Sequence, residues 1–482
     1  MTSRSLCAIA LSTAACLSTP GPADPDAGSD VATDTATDTA TDSATDGPGA
    51  CTDGDGDGWS TCGVYPDCAD DDAARHPGAF EAVGGPDLDC FATAPAVAAP
   101  TLTHAMVSGD RVITGSVVAR LDDAAGGQLG SLIVGGTEML YSGAVLERYS
   151  GVEAWDNADP DNPSVNDARS IAATGVVTAL QLGRAVARLR VEWTASDITG
   201  ASIYTVTPEG RVVRTDDFTL SGGMRFASLT SFAALRPDGV DLLVWEALDG
   251  TRVERVPAFT STKALGEFVA AGAMDDDGFA CAGGVDRELG WTAALATDLT
   301  SGQQPRRGLR ITRSRSAPGT APTQLALQFD WEFSTGIGLL NGRRVAHAAL
   351  WAGPAEATRC AASAARLREF RAPRPLIDRA GHVAPGASDY DVGGDGFIED
   401  GGYWALEPTS GVVRFAFDSA RGTAPRSTLF HLRGDVAGDD WSRGVVVIRE
   451  AAGGARTQLV HGEHYLADSD GDRGLWLVLL GD

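Results

Sequence analysis

Lysine is almost absent from this sequence: Lys263 is the only one in 482 residues, and arginine supplies every other basic side chain. Acidic residues are far more numerous, with 65 Asp and Glu against 38 Lys and Arg, so the formal net charge is -27 at pH 7. A chain with this balance repels phosphate backbones, and it has no basic stripe with interleaved aromatic residues. The composition therefore excludes nucleic acid as an expected partner.

Long apolar runs are also missing, because no stretch of the sequence reaches the 18 consecutive apolar residues of a membrane-spanning helix. The opening residues MTSRSLCAIALSTAACLST place Arg4 before an apolar run that ends near Ala15. This order predicts a signal peptide at residues 1–16. Cys16 also resembles the cysteine of a bacterial lipobox, which is diacylated after cleavage; the alternative is an ordinary cleaved signal. We therefore expect a secreted, outer-surface or periplasmic lipoprotein, held at the membrane only by lipid.

Familiar catalytic patterns are absent as well. The sequence contains no GxSxG, HExxH, Walker or Rossmann pattern. Spacing reveals no paired acid and base and no activated nucleophile. Carboxylates able to form a glycosidase pair are so abundant that their presence discriminates nothing. The sequence therefore favours a binding protein over an enzyme.

Residues 17–50 form a low-complexity segment with VATDTATDTATDSATDG at its centre. The segment contains seven Asp and no other charged residue, and its only large apolar side chains are Leu17 and Val31. Such a composition cannot bury enough apolar surface to fold, and its charges repel one another. We predict a disordered, extended tether.

The next segment, residues 51–90, contains four cysteines among many acidic residues and begins CTDGDGDGWSTCGVYPDCADDDAARHPGAFE. Because cysteines of exported proteins are usually oxidised, we predict two disulfides inside this module, although spacing leaves three connectivities open. A third disulfide is expected in the main body, with two buried free thiols as the alternative. The predicted disulfide cysteines are Cys51, Cys62, Cys68, Cys90, Cys281 and Cys360.

The DGDGDG stretch of this module predicts a metal site. Asp53, Asp55 and Asp57 alternate with glycines, which lets the backbone coil and direct three carboxylates at one hard cation such as Ca²⁺. The loop is not an EF-hand, because Val64 stands where that loop needs a bidentate Glu. A solvated acidic loop that binds nothing specific is the alternative. The remaining oxygen ligands are expected from the Trp59 carbonyl and from Asp67, Asp70, Asp72 and Glu81.

Four short patterns follow one another in the module: DxDGDG at residues 53–58, DCxDxD at 67–72, HPGAxE at 76–81 and DxDC at 87–90. This order resembles the MopE-type metal-binding motif of secreted and surface lipoproteins of bacteria, with Ala69 where the family usually has Asp. The resemblance implies a metal, and the family's founding association is with copper. Copper favours imidazole, thiolate or thioether, of which the module offers only His76, so we expect Ca²⁺ with copper as the alternative.

The rest of the chain reads as a mainly β protein. Apolar and polar residues alternate in QLALQFDWEF (324–333), in ARLRVEW (187–193) and across a predicted hairpin at 201–220. Such strands, with one buried and one solvated face, pack as antiparallel sheets. We predict a large antiparallel β-sandwich at residues 95–370 and a smaller C-terminal β-sandwich at 375–482. One helix is expected between them, in AEATRCAASAARLREF.

The hairpin segment IYTVTPEGRVVRTDDFTL, together with GGQLGSLIVGG, resembles the galactose-mutarotase-like β-supersandwich of several carbohydrate-active proteins. This resemblance implies a concave sheet suited to a glycan. The segment 149–170 is long and polar, and long loops often carry binding residues. We predict that Trp155 stacks on a sugar ring beside Asp156, Asn157 and Asp159; the alternative is a core Trp. An extracellular or cell-wall glycan is the expected ligand, and a carbohydrate-active lyase or hydrolase is the alternative function.

Overall fold

The computed structural model describes most of the chain outside its first 50 residues. The described residues are 5–10, 51–62, 65–90, 99–122, 126–140, 150–156, 168–169, 174–195, 198–220, 226–235, 240–246, 252–255, 267–273, 279–296, 306–314, 324–332, 342–355, 358–371, 376–379, 396–398, 401–406, 412–417, 428–433, 444–450, 455–471 and 474–480. Apart from residues 5–10, the predicted signal peptide and tether lie outside this set. No described helix is long and apolar enough to cross a membrane.

The fold is mainly β, as predicted. The first strands in chain order are β1 (Ser5–Ala10), β2 (Thr103–Val107), β3 (Asp110–Thr114), β4 (Val117–Asp122), β5 (Gln128–Val134), β6 (Thr137–Glu138), β7 (Ser150–Asp156), β8 (Ala168–Arg169), β9 (Thr174–Leu182), β10 (Ala187–Ala195), β11 (Ile198–Val206), β12 (Arg211–Leu220), β13 (Phe226–Leu235), β14 (Leu242–Glu246) and β15 (Arg252–Arg255). The remaining elements are β16 (Glu267–Ala273), β17 (Phe279–Gly283), β18 (Arg287–Ala296), β19 (Arg306–Ser314), β20 (Gln324–Glu332), β21 (Gly342–Pro354), α1 (Ala361–Arg371), β22 (Leu376–Arg379), β23 (Phe397–Ile398), β24 (Tyr403–Leu406), β25 (Val412–Phe417), β26 (Thr428–Leu432), β27 (Val446–Glu450), β28 (Arg456–Gln458), β29 (Tyr465–Ser469) and β30 (Leu475–Leu479).

A nine-stranded antiparallel sheet, in the order β15-β14-β17-β18-β21-β12-β11-β10-β9, forms the centre of the molecule. The alternation predicted for β10 is confirmed, since Leu189, Val191 and Trp193 are buried while Glu192 is exposed. The predicted hairpin is confirmed as β11 and β12. Its turn closes with a Gly210 N–H donating to the Thr207 carbonyl at 3.1 Å. Gly210 has a φ of 90°, a conformation that favours glycine.

One face of this sheet packs against a five-stranded sheet in the order β2-β3-β4-β5-β6. Their apolar side chains form one buried cluster, in which Leu129 and Leu132 of β5 join Leu189, Trp291 and Leu350 of the large sheet. Two sheets that share a core in this way make a β-sandwich. A further antiparallel sheet has the order β16-β19-β20-β13-β7-β8.

The helix α1 covers part of the opposite face of the nine-stranded sheet, where Leu367 joins the cluster that contains Val213, Phe279 and Trp351. The helix begins at residue 361, later than the sequence pattern predicted. Its first turn is fixed by Glu288 of β18, whose buried carboxylate accepts hydrogen bonds from N–H groups at the helix start. A carboxylate at this end satisfies N–H groups that lack partners within the helix.

The C-terminal region contributes two more sheets, in the orders β22-β25-β1-β27-β28 and β23-β24-β26-β30-β29. Their apolar residues, such as Trp404, Phe430 and Leu477, belong to the same buried cluster as α1 and the outer face of the large sheet. The C-terminal region therefore packs directly on the central sheet through a continuous core.

Residues 5–10, within the predicted signal peptide, form strand β1 in this structure. The strand pairs antiparallel with β25 on one side and with β27 on the other. An apolar run of this length satisfies both a signal sequence and a sheet strand. Export stays a prediction, because strand pairing does not test it.

His347 of β21 is a buried titratable group in the central sheet. It is 1% exposed and lies 2.9 Å from the Thr215 hydroxyl through its Nδ1 atom. Burial lowers its pKa from 6.5 to about 3. His104 differs, because it lies exposed on β2.

The lowered pKa of His347 predicts a pH-dependent stability. The unfolded chain takes up a proton between pH 6.5 and about pH 3 while the folded chain does not, so this contribution is complete above pH 6.5 and is lost as the pH falls. Between about pH 7 and about pH 4 the loss is on the order of 3 kcal/mol. Urea unfolding at both pH values measures it. We expect His347→Gln to flatten the pH dependence and His104→Gln to leave it unchanged; equal slopes in all three proteins would contradict the assignment.

Candidate metal centre

The DGDGDG loop is held by hydrogen bonds from its own backbone. Asp53 accepts the N–H groups of Gly56 at 2.8 Å and Gly58 at 3.2 Å, and Asp55 accepts the N–H of Asp57 at 3.1 Å. Gly56 and Gly58 have φ values of 81° and 93°, which favour glycine. The two glycines therefore let the chain coil around its own carboxylates.

The coil brings three carboxylates together. Oxygen atoms of Asp53, Asp55 and Asp57 lie within 4.8 Å of one another. The Oδ2 atoms of Asp55 and Asp57 are buried and have no hydrogen-bond partner. Burial raises the pKa of the Asp57 carboxyl, and the charges of Asp55 and Asp67 raise it further. The loop therefore presents oxygens that protein groups do not satisfy and whose negative charge is unfavourable without a counter-charge.

The acidic residues of segment 67–72 differ in how they interact with the DGDGDG loop. Asp67 is buried, has an unpartnered Oδ2 and lies close enough to Asp57 to influence its pKa. Asp70 instead ties down the start of the loop, accepting the Gly54 N–H and the Thr52 hydroxyl, each at 2.8 Å. Asp72 is exposed and accepts the N–H of Ala74.

Glu81 lies in a separate acidic group with Asp87 and Asp89, whose ligand oxygens are within 4.8 Å of one another. The Glu81 Oε1 atom accepts the N–H groups of Leu88 at 2.6 Å and Asp89 at 3.0 Å. The sequence pattern assigned Glu81 to the first loop, and it placed Asp87 and Asp89 in the DxDC pattern without naming them as ligands. Their alternation just before Cys90 is the same signal that identified the first loop.

Three disulfides confirm the predicted division of the cysteines. Within the module they join Cys51 to Cys62 and Cys68 to Cys90, with Cα–Cα distances of 5.3 Å and 5.7 Å. The third joins Cys281 to Cys360 at 5.9 Å. The first closes the DGDGDG loop, and the second joins the Asp67 segment to the end of the module. Spacing left three connectivities open, and in the structure the first cysteine of the module pairs with the second and the third with the fourth.

The module docks on the C-terminal sheets through Trp59. Its side chain is 2% exposed and packs against Val446 and Ile448 of β27. On its other side the indole stacks on the His76 ring, with centroids 5.8 Å apart. His76 Nδ1 also lies 3.0 Å from the Pro77 carbonyl. The sequence pattern predicted that the Trp59 carbonyl binds the metal. The side chain of the same residue anchors the module on the body.

The HPGA segment forms a second contact, in which two glycines allow close approach. A Cβ atom on Gly78 would overlap the Val445 carbonyl, and one on Gly462 would overlap the Glu81 carbonyl. His461 Nδ1 donates to the Gly78 carbonyl at 2.9 Å, and its Nε2 accepts the N–H of Ala467 at 3.0 Å. Because Nε2 accepts a hydrogen bond, the ring is neutral, and burial lowers the pKa of His461 to about 4. The module is therefore fixed to the body by buried, directional contacts.

The residues predicted to bind a glycan are not brought into one described site. Trp155 and Asp156 lie in strand β7, which pairs with β13, so the structure differs from the predicted loop at this point. Asn157 and Asp159 lie outside the described residues.

Two further stretches, DYDVGGDGFIEDGG (389–402) and DSDGDRG (468–474), also combine alternating acidic residues with glycine. In the DSDGDRG stretch, Asp468 accepts the Ala185 N–H of the large sandwich. Asp470 accepts from His431 Nε2 and from the Gly474 N–H, both at 2.8 Å. Asp468 therefore joins the C-terminal region to the large sandwich, and Asp470 joins the end of β29 to β26. The acidic positions of the other stretch, 389–399, lie outside the described residues.

No protein-family model and no curated protein matches the sequence. Solved structures similar in fold include galactose 1-epimerase from Lactobacillus acidophilus NCFM, with 8% identity, a TM-score of 0.33, and coverage of 53% of this chain and 100% of that chain. A GalM/aldose epimerase homologue from C. elegans shares 12% identity at a TM-score of 0.29, and the match covers 50% of this chain and 97% of that chain. Heparinase III shares 8% at 0.30, covering 77% of this chain and 44% of its own. The resemblance to mutarotase-like proteins stays a prediction.

The buried position of Trp59 predicts that it holds the module on the body. Removing a buried Trp side chain costs about 3–5 kcal/mol, so we expect Trp59→Ala to release residues 51–90 and expose them to proteolysis. Trp59→Phe retains most of the contact with β27 and serves as the matched variant. Limited proteolysis of the oxidised protein followed by mass spectrometry locates the cuts. Cleavage of the module at equal rates in wild type and Trp59→Ala would contradict the docking role.

Proposed function

We propose that this protein is an exported surface protein in which Ca²⁺ holds the acidic module of residues 51–90 in its folded form. The observation that carries the proposal is the convergence of Asp53, Asp55 and Asp57, in which Asp55 and Asp57 each keep one buried oxygen without a hydrogen-bond partner. Buried polar atoms normally have partners, and an oxygen-only donor set suits a hard cation. In this proposal Asp67 and the Trp59 carbonyl complete the ligands, while Asp70 positions the loop.

Calcium fits these donors better than copper. The module's four cysteines are paired in disulfides, which removes thiolate ligands. His76, its only imidazole, is already in contact with the Trp59 ring and the Pro77 carbonyl. Copper in proteins is usually bound by imidazole or sulfur ligands. A copper-binding surface protein therefore stays the weaker alternative.

Three disulfides support export, since disulfides persist in oxidising compartments and are rare in the cytosol. The lipid anchor at Cys16 rests on the sequence of the leader alone. In the proposal, the tether of residues 17–50 separates this anchor from the folded module. The protein acts by presenting its β-sandwich body at the cell surface.

Calcium removal tests the metal site. With free Ca²⁺ at about 100 times its Kd, binding stabilises the folded chain by about 2.7 kcal/mol, so a chelator should lower the melting temperature of the oxidised full-length protein. Asp55→Asn keeps an oxygen for the Asp57 N–H but loses a charge, and it should shrink the calcium increment. Asp71→Asn changes an exposed carboxylate outside the acidic groups and should retain it. Calorimetry measures the increments; a melting temperature indifferent to chelator would reject the calcium site.

Binding of an extracellular or cell-wall glycan by the body is a second candidate, for which the polar segment 149–170 is the support. Affinity electrophoresis in polysaccharide gels should show retardation of the wild type that Trp155→Ala removes. Val176→Ala, which changes an exposed side chain on β9, should leave the retardation unchanged. Shortened glycan products would instead favour the lyase or hydrolase alternative. Free migration of the wild type in every gel counts against a glycan ligand.

A further inference from the structure

We propose that Glu81, Asp87 and Asp89 form a second cation site, of the calcium class, separate from the DGDGDG loop. The two groups share no residue, so this proposal does not rest on the first site. Each group supplies three carboxylates from a short stretch that ends in or follows a disulfide cysteine. The second site lies at the end of the module, where Cys90 is joined to Cys68.

The group is more deeply buried than the first. Glu81 and Asp89 are each 1% exposed, and Asp87 is partly buried. Their ligand oxygens lie within 4.8 Å of one another. Three carboxylates at this separation and burial repel strongly when ionised, since neither solvent nor distance screens them.

The orientation of Glu81 points to a ligand. Its Oε1 atom is held by the N–H groups of Leu88 and Asp89, so the carboxylate cannot rotate freely. Its Oε2 atom is buried and has no hydrogen-bond partner, and one oxygen of Asp87 is in the same condition. Buried polar atoms normally have hydrogen-bond partners, so these two oxygens are available to a ligand.

The surroundings of Glu81 and Asp87 favour an ion over a protein counter-charge. In the part of the chain that the structure describes, no Arg, Lys or His forms an ion pair with Glu81 or Asp87. The site therefore offers several oxygens, two of them unused, and a formal charge that a divalent cation would offset. A hard cation with flexible coordination, as Ca²⁺ has, suits carboxylates brought in from two segments.

The site also lies at the contact between the module and the body. The Glu81 N–H donates to the His461 carbonyl at 3.1 Å. The Asp89 charge is near Tyr465 of β29, whose pKa is raised by burial and further by that carboxylate. The Tyr465 hydroxyl in turn donates to the Val445 carbonyl at 2.9 Å. An ion here would neutralise charge inside the contact, whereas an ion at the DGDGDG loop would stabilise the loop.

Counting bound calcium separates the two sites. The experiment uses the full-length, oxidised protein, freed of metal by chelator and titrated with CaCl₂ in equilibrium dialysis and calorimetry. Glu81→Gln keeps a carbonyl oxygen for the Leu88 and Asp89 N–H groups and removes the charge. We expect it to lose one equivalent of Ca²⁺ relative to wild type while the affinity for the remaining calcium is unchanged. Asp71→Asn, an exposed carboxylate of the same module, should lose none.

The site of the first proposal is assessed in parallel through Asp55→Asn, which should lose a different equivalent, so that the double variant loses two. Loss in Glu81→Gln but not in Asp55→Asn would support the second site and reject the first. Full retention of calcium by Glu81→Gln, or loss of both equivalents in that single variant with its fold intact by circular dichroism, would overturn the second site. If Glu81→Gln does not fold, Asp87→Asn, which changes a partly exposed ligand, gives the same comparison.

Discussion

Repulsion among carboxylates is the constraint on which the front of this protein depends. Two groups of three carboxylates, each with ligand oxygens within 4.8 Å, lie in residues 51–90. Two unit charges about 4 Å apart repel by on the order of 4 kcal/mol at an effective dielectric of about 20. Disulfides on either side of Asp67 prevent the segments from separating, and buried contacts hold the module on the body. The remaining charge is the physical reason for a bound cation in the proposal.

The acidic module is part of the fold and does not form a separate unit. Trp59 packs against β27, and the HPGA segment fits under His461, with glycine on both sides of the closest approach. The C-terminal sheets in turn share a core with α1 and the central sheet. The acidic module is therefore continuous with the body through packed side chains.

Similar acidic sequence patterns have different structural roles in this protein. In the DGDGDG loop, Asp55 and Asp57 each accept a neighbouring N–H group with one oxygen and leave the other oxygen without a partner. In the DSDGDRG stretch, Asp468 bonds backbone of the large sandwich and Asp470 bonds His431. Alternation of Asp with Gly indicates a tight turn in both places. Whether an oxygen is left for an ion depends on the neighbours that tertiary packing supplies.

The sequence by itself determined the mainly β class, the strands at β10 to β12 and β20, and the split of the cysteines into module and body, because alternation, turn residues and even cysteine counts act locally. It also indicated that Asp53, Asp55 and Asp57 converge, since alternate glycines let the backbone coil tightly there. Only the tertiary structure decided which cysteines pair, where the helix begins and which group receives Glu81. These depend on residues far apart in the chain, such as Glu288 at the start of the helix, whose proximity no local pattern records.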